Sequence, residues 1–164
     1  MLKRDHLFVP GKLAYVKGDR PKVDCILCSV IRREEAVERL EVYREDSFIV
    51  MVNLYPYNPG HVMIVPIRHI CDPRDLTGEE AAHLHVLQTR CLNILEKEYN
   101  PHGFNIGYNL SPFGGASIEH LHLHIVPRYK NELGFLDIIA GARTFVAEPR
   151  AMAERIARAF MESK

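Results

Sequence analysis

The chain lacks the features that would place it in several large functional classes. Its 21 basic and 21 acidic residues cancel, so no bulk attraction draws it to nucleic acid or to an anionic membrane, and neither is expected as a partner. No apolar run approaches the roughly 20 residues of a membrane-spanning helix. The opening MLKRDHLFVP carries charge without an apolar stretch behind it. That is not a secretory signal, and a cytoplasmic address is expected. Cysteine is scarce: of Cys25, Cys28, Cys71 and Cys91, only the first two are motif-spaced, which reads as metal or redox chemistry before a disulfide. Repeats and low-complexity tracts are absent too. What remains, 164 residues of which 47% are hydrophobic, suits one globular domain with an appendage.

Residues 1–24, punctuated by Pro, Gly and Lys, read as an irregular arm. After Cys28, SVIRREEAVERL has helical spacing, with Val30, Ala36 or Val37, and Leu40 able to share a face. SFIVMVNL (residues 47–54) predicts a strand, YPYNPG a turn, and HVMIVP (residues 61–66) a second strand. In that second strand His61, Met63 and Val65 face one way and Val62 and Ile64 the other. Thr77 with Glu80 fits a capping box opening a helix that runs to about Tyr99, with Leu84, Leu87, Cys91 and Ile94 or Leu95 as its apolar stripe. FNIGYNL (residues 104–110) reads as a third strand, SPFGGAS as a loop, and residues 148–160 as a final helix. Hairpin-linked strands with helices between them predict an α+β fold on an antiparallel sheet.

Between that loop and that helix lies EHLHLHIVP (residues 119–127), with three of the nine histidines. As a strand, its alternation sends His120, His122 and His124 to one face and Leu121, Leu123 and Ile125 to the other. Three uses compete: hydrogen-bonded polar filler, convergence on a metal ion, or catalysis by neutral imidazole, a nucleophile and proton carrier near neutral pH. The preceding Gly114-Gly115-Ala116-Ser117 favours catalysis. It offers backbone N–H groups able to form an anion-binding nest, plus a hydroxyl, beside the rings.

The run from His120 to Val126, His-Leu-His-Leu-His-Ile-Val, resembles the His-φ-His-φ-His-φ-φ motif of the histidine-triad nucleotide hydrolases and transferases. NLYPYNPGHVMIVP (residues 53–66) is similar to that family's nucleotide-binding hairpin, and residues 109–117 to its phosphate loop. The resemblance covers residues 46–128 and points to the branch that acts on dinucleoside polyphosphates. It implies a sheet-and-helix core at residues 46–130, an N-terminal arm and helix at 1–45, a C-terminal extension at 131–164, and a two-fold homodimer. It also implies cleavage at an α-phosphate, by way of a nucleotidyl-histidine on His122, with water or inorganic phosphate as acceptor. His124 and His61 are then expected at the phosphate or leaving group. Asn109, Ser117 and the Gly115 backbone should hold phosphate oxygens, Asn53 the ribose, and Leu54 and Phe48 the base. No organic cofactor is implied. The phosphoramidate-hydrolysing branch usually carries Gln where this chain has Ala116, which leaves phosphoramidate hydrolysis, like nucleotide binding without turnover, as the weaker alternative.

Cys25-Ile26-Leu27-Cys28 has the spacing of half a tetrahedral zinc site. Its rivals are two small hydrophobes packed at a helix start, or a redox-active pair at a helix N-terminus. Related proteins complete a structural zinc site with two histidines, and the resemblance places these at His69 and His120.

Overall fold

The β-branched residues of SFIVMVNL and HVMIVP pair with each other in the computed structural model, which describes residues 21–130 and 148–163. Strands β1 (Glu41–Arg44), β2 (Phe48–Val52), β3 (Val62–Pro66), β4 (Gly103–Gly107) and β5 (Leu123–Arg128) form one sheet in the order β1-β2-β3-β5-β4. Every neighbouring pair is antiparallel. His124 lies opposite Met63 on one side and Gly107 on the other, so the register delivers it to the middle of the sheet.

All five residues of β2, and all five of β3, are buried, because the sheet is covered on both faces. On one face Phe48, Val50, Val52, Val62, Ile64, Leu123 and Ile125 meet two helices, α2 (Gly78–Tyr99) and α3 (Pro149–Glu162). Helix α2 opens on the predicted capping box, with the Thr77 hydroxyl accepting from the Glu80 N–H at 3.1 Å and the Glu80 carboxylate accepting from the Thr77 N–H at 2.8 Å. It ends at Asn100 in the left-handed conformation, φ 44°. Helix α3 buries Met152, Ile156, Ala159 and Phe160, and Phe160 stacks on Tyr43 of β1 with ring centroids 4.6 Å apart.

The other face carries Ile49, Met51, Met63 and Val65. These pack with Leu27 and Val30 of a short helix, α1 (Ile26–Ile31), and with Val37. The helical spacing read through to Leu40 is not realised: α1 ends at Ile31 and Arg33 takes φ 61°. The reason is topological. Val37 belongs to the α1 side of the sheet and Leu40 to the α2 side, and one straight helix cannot supply both.

The histidine segment also differs from a full strand. Pairing begins only at Leu123. Before it, the Leu121 N–H donates to the Ile70 carbonyl at 2.6 Å and His120 Nε2 meets the Pro66 carbonyl at 2.8 Å, so the chain there follows the segment leaving β3 instead of pairing with β3 itself. No helix among the described residues is long and apolar enough to cross a membrane. His6 and residues 131–147 lie outside the described residues.

Candidate active site

The hairpin loop between β2 and β3 is fastened to β5. Asn58 Nδ2 donates to the Pro127 carbonyl at 2.6 Å, and Gly60 adopts φ 81° in a space where a Cβ would stand 3.1 Å from Pro127 and 3.2 Å from the Tyr99 ring. Only glycine meets both demands. The loop thereby delivers His61, fully buried, against His124.

Tautomers follow from one main-chain donor. The Tyr57 N–H donates to His61 Nδ1 at 3.0 Å. A backbone N–H can only donate, so His61 carries its proton on Nε2. That N–H faces His124 Nδ1 at 3.0 Å, which puts the His124 proton on Nε2 in turn. Asn109 Nδ2 lies 3.4 Å from His124 Nε2.

His122 is oriented independently. Its Nδ1 donates to the His120 carbonyl at 2.7 Å, leaving Nε2 as the nitrogen with the lone pair. Its ring meets that of His124 edge-on, with centroids 4.7 Å apart. Burial lowers the pKa of His122, and burial, reinforced by the neighbouring His122, lowers that of His124 to about 4. Both rings are neutral at physiological pH, the state a nitrogen nucleophile requires.

A cavity of about 330 Å³ opens over these rings. Its polar end holds His122, His124, Asn53, Asn109, Gly115 and Ser117; its apolar end is walled by Ile26, Leu27, Val30, Val37 and Met51, with Leu54 beside them. Expected residues are therefore largely assembled in one place, with three differences. Phe48 is on the opposite face, in the α2 core, edge-on to His83. His61 stands behind His124 and does not line the cavity. The N–H groups of Gly114, Gly115 and Ala116 donate to the carbonyls of Ser111 and Pro112, so the loop closes on itself as a 3₁₀ turn, Pro112–Gly114, rather than presenting a Gly115 nest.

The apolar wall from α1 and β2 extends well beyond the expected base contacts, Leu54 and Phe48. Its signal was the strand period: Phe48 and Met51, three residues apart, must face opposite ways. Two of the histidines without an expected role have local partners. His83 meets Glu45, and His102 accepts from the Lys130 N–H at 3.2 Å. Arg68 pairs with Glu80 at 2.7 Å.

Beneath the triad, Cys25, Cys28, His69 and His120 converge, one ligand atom from each lying within 4.8 Å of all the others. Cys28 Sγ is 3.2 Å from His69 Nδ1 and 3.5 Å from His120 Nδ1, and Cys25 Sγ is 3.5 Å from the same His120 nitrogen. A tetrahedral ion with the usual zinc–sulfur and zinc–nitrogen lengths sets ligand atoms about 3.5 Å apart. The outward Nε2–H of His120 is held by the Pro66 carbonyl, the outer-shell contact expected of a metal-ligating imidazole. Burial, then the neighbouring Cys25, push the Cys28 thiol up to about 11. The four residues fit a metal ion.

Residues 24–135 match the family model "Scavenger mRNA decapping enzyme C-term binding", and that span contains the whole histidine motif. The chain belongs to the histidine-triad family. A bis(5'-adenosyl)-triphosphatase of Dictyostelium discoideum is 34% identical over 104 residues, 63% of this chain and 70% of that one. An AP-4-A phosphorylase of Mycobacterium tuberculosis is 42% identical over 107 residues, 65% of this chain. The match spans only 55% of that relative's length. Among solved structures, a zinc-bound histidine-triad protein of Mycobacterium smegmatis superposes with a TM-score of 0.69 at 20% identity, covering 85% of this chain and 94% of that one. The histidine-triad fold, with its five-stranded antiparallel sheet, is thus common to both.

Proposed function

We propose that this histidine-triad protein cleaves dinucleoside polyphosphates, such as diadenosine tetraphosphate, at the α-phosphorus through a nucleotidyl intermediate on His122. The observation that carries this reading is the His122 Nδ1 bond to the His120 carbonyl at 2.7 Å, which reserves Nε2 for attack. In the first step Nε2 bonds to phosphorus, the bond from phosphorus to the bridging oxygen breaks, and its electron pair leaves with the nucleoside polyphosphate. The His124 Nε2–H and the Asn109 amide donate to the oxygens that gain charge. In the second step water or inorganic phosphate attacks phosphorus, the P–N bond breaks, and the pair returns to Nε2. The proton released by the acceptor passes to solvent.

Ser117 holds a phosphate oxygen, Asn53 the ribose, and Leu54 with the α1 and β2 wall the base. The names of the two curated relatives support the substrate class. Ala116 supports it too, because a polyphosphate departs without the side-chain donor that a poorer leaving group needs. The Cys25, Cys28, His69 and His120 set is closed, with no open coordination position, and is assigned to structural zinc. The zinc-bound relative supports that choice. A homodimer is part of the same reading: β4 is a sheet edge with Asn105, Ile106 and Gly107 exposed, available to a second copy across a two-fold.

Incubation with diadenosine tetraphosphate, with and without inorganic phosphate, tests the proposal. ADP plus ATP formed only with phosphate identifies phosphorolysis, and AMP plus ATP identifies hydrolysis. Equal turnover by wild type and His122→Ala overturns it.

A further inference from the structure

Helix α1 has six residues, too few to be stable from its own hydrogen bonds. Its start is capped by a sulfur: the Cys28 N–H meets Cys25 Sγ at 3.5 Å. Both cysteines turn toward His69 and His120, whereas Ile26, Leu27 and Val30, the residues between and just after them, line the apolar end of the cavity. One and a half turns of helix are thus shared between two sites. The side facing His120 offers ligands and the side facing the cavity offers wall.

We infer that Cys25 and Cys28 are positioning residues for nucleobase recognition: by ligating a metal together with His69 and His120, they hold α1 so that Ile26, Leu27 and Val30 form the wall against which the base packs. The inference rests on the nucleotide reading above and deepens it. Leu27 and Val30 are nearly fully buried and have the sheet behind them. Ile26 is only partly buried, so it is the wall residue most dependent on how α1 is held. The phosphate end has different supports. His124 is in β5, and the loop bearing Ser117 is closed by its own backbone bonds. Loss of the metal therefore acts unequally along the cavity, loosening the base end while His124 and the Ser117 loop keep their own supports, and the His120 ring stays held by the Pro66 carbonyl.

The test is equilibrium binding, with AMP and ribose 5-phosphate as probes, to zinc-loaded protein, chelator-stripped protein and zinc-loaded Ile26→Ala. Metal content is measured in each sample, and far-UV circular dichroism confirms that the stripped protein remains folded. Stripping is expected to weaken AMP about tenfold, or 1.4 kcal/mol, while ribose 5-phosphate changes by less than about twofold. Ile26→Ala should keep its zinc and reproduce part of the AMP loss. The inference is overturned if AMP affinity ignores the metal, if both probes weaken equally, or if the protein takes up no zinc. Zinc-loaded protein that binds no AMP instead contradicts the nucleotide reading itself, a result distinct from metal-insensitive binding.

Discussion

His122 Nδ1 donates to the carbonyl of His120, 2.7 Å away, and the side chain of the same His120 points to Cys25 and Cys28. One residue therefore serves two sites, with its ring at the metal cluster and its carbonyl on the nucleophile. The strand-like alternation brings the rings together, but their hydrogen bonds give them different jobs.

His61 acts through His124. Replacing His61 with alanine removes the N–H that fixes the His124 tautomer, and kcat should fall about tenfold with KM nearly unchanged. His124→Ala removes the donor itself and should cost on the order of 100-fold in kcat. The pH profile separates the two: His61→Ala should move its acid limb, because the partner of His124 Nδ1 is gone. Steady-state kinetics from pH 5 to 8 checks both, and equal effects of the two substitutions would argue against the relay.

His124 also sets a pH dependence of stability. Its ring binds a proton near pH 4 in the folded chain, against about 6.5 when unfolded. Between those values the unfolded chain binds more protons, so stability is full above about pH 6.5 and declines as pH falls toward 4. The difference corresponds to roughly 3 kcal/mol. Urea unfolding at pH 7, 5.5 and 4.5 should show this slope in wild type and a flatter one in His124→Gln.

These chemical roles were partly legible in the amino-acid sequence, for physical reasons that differ from residue to residue. Thr77 and Glu80 announce a helix start because both halves of the bond lie within one turn. His120, His122 and His124 share a side because a two-residue period leaves no other choice. Cys25 and Cys28 showed only half of a metal site, and the other half came from the resemblance, since His69 and His120 are distant in sequence. Val37 and Leu40 misled because helical spacing does not reveal that two apolar residues serve opposite faces of a sheet. The closure of the loop onto Ser111 and Pro112 is a conformational choice that a glycine pair permits but does not dictate.

Gly60 is the hinge on which His61 is placed. Alanine there would hold an unfavourable φ of 81° and crowd Pro127 and Tyr99. Gly60→Ala should destabilise the chain by about 2–4 kcal/mol, read as a lower urea midpoint. Thermal or chemical stability equal to wild type would mean that the loop can shift without loss.

Zinc loading should release protons. The Cys28 thiol, raised to about 11, is protonated at neutral pH without a metal and must ionise to bind one. Calorimetry of zinc binding in buffers of different ionisation enthalpy should report proton release that includes the Cys28 proton. Cys28→Ser should reduce both the release and the zinc stoichiometry. Binding without proton release would place the ion on other ligands.

The central claim is a covalent bond between His122 and a nucleotide. Rapid acid-free quenching of the enzyme during turnover of diadenosine tetraphosphate, followed by intact-mass and peptide analysis, tests it directly. The expected result is a transient adduct with the mass of one adenylyl group on the peptide bearing His122, absent from His122→Ala. Turnover without that adduct, or an adduct on another residue, would contradict it.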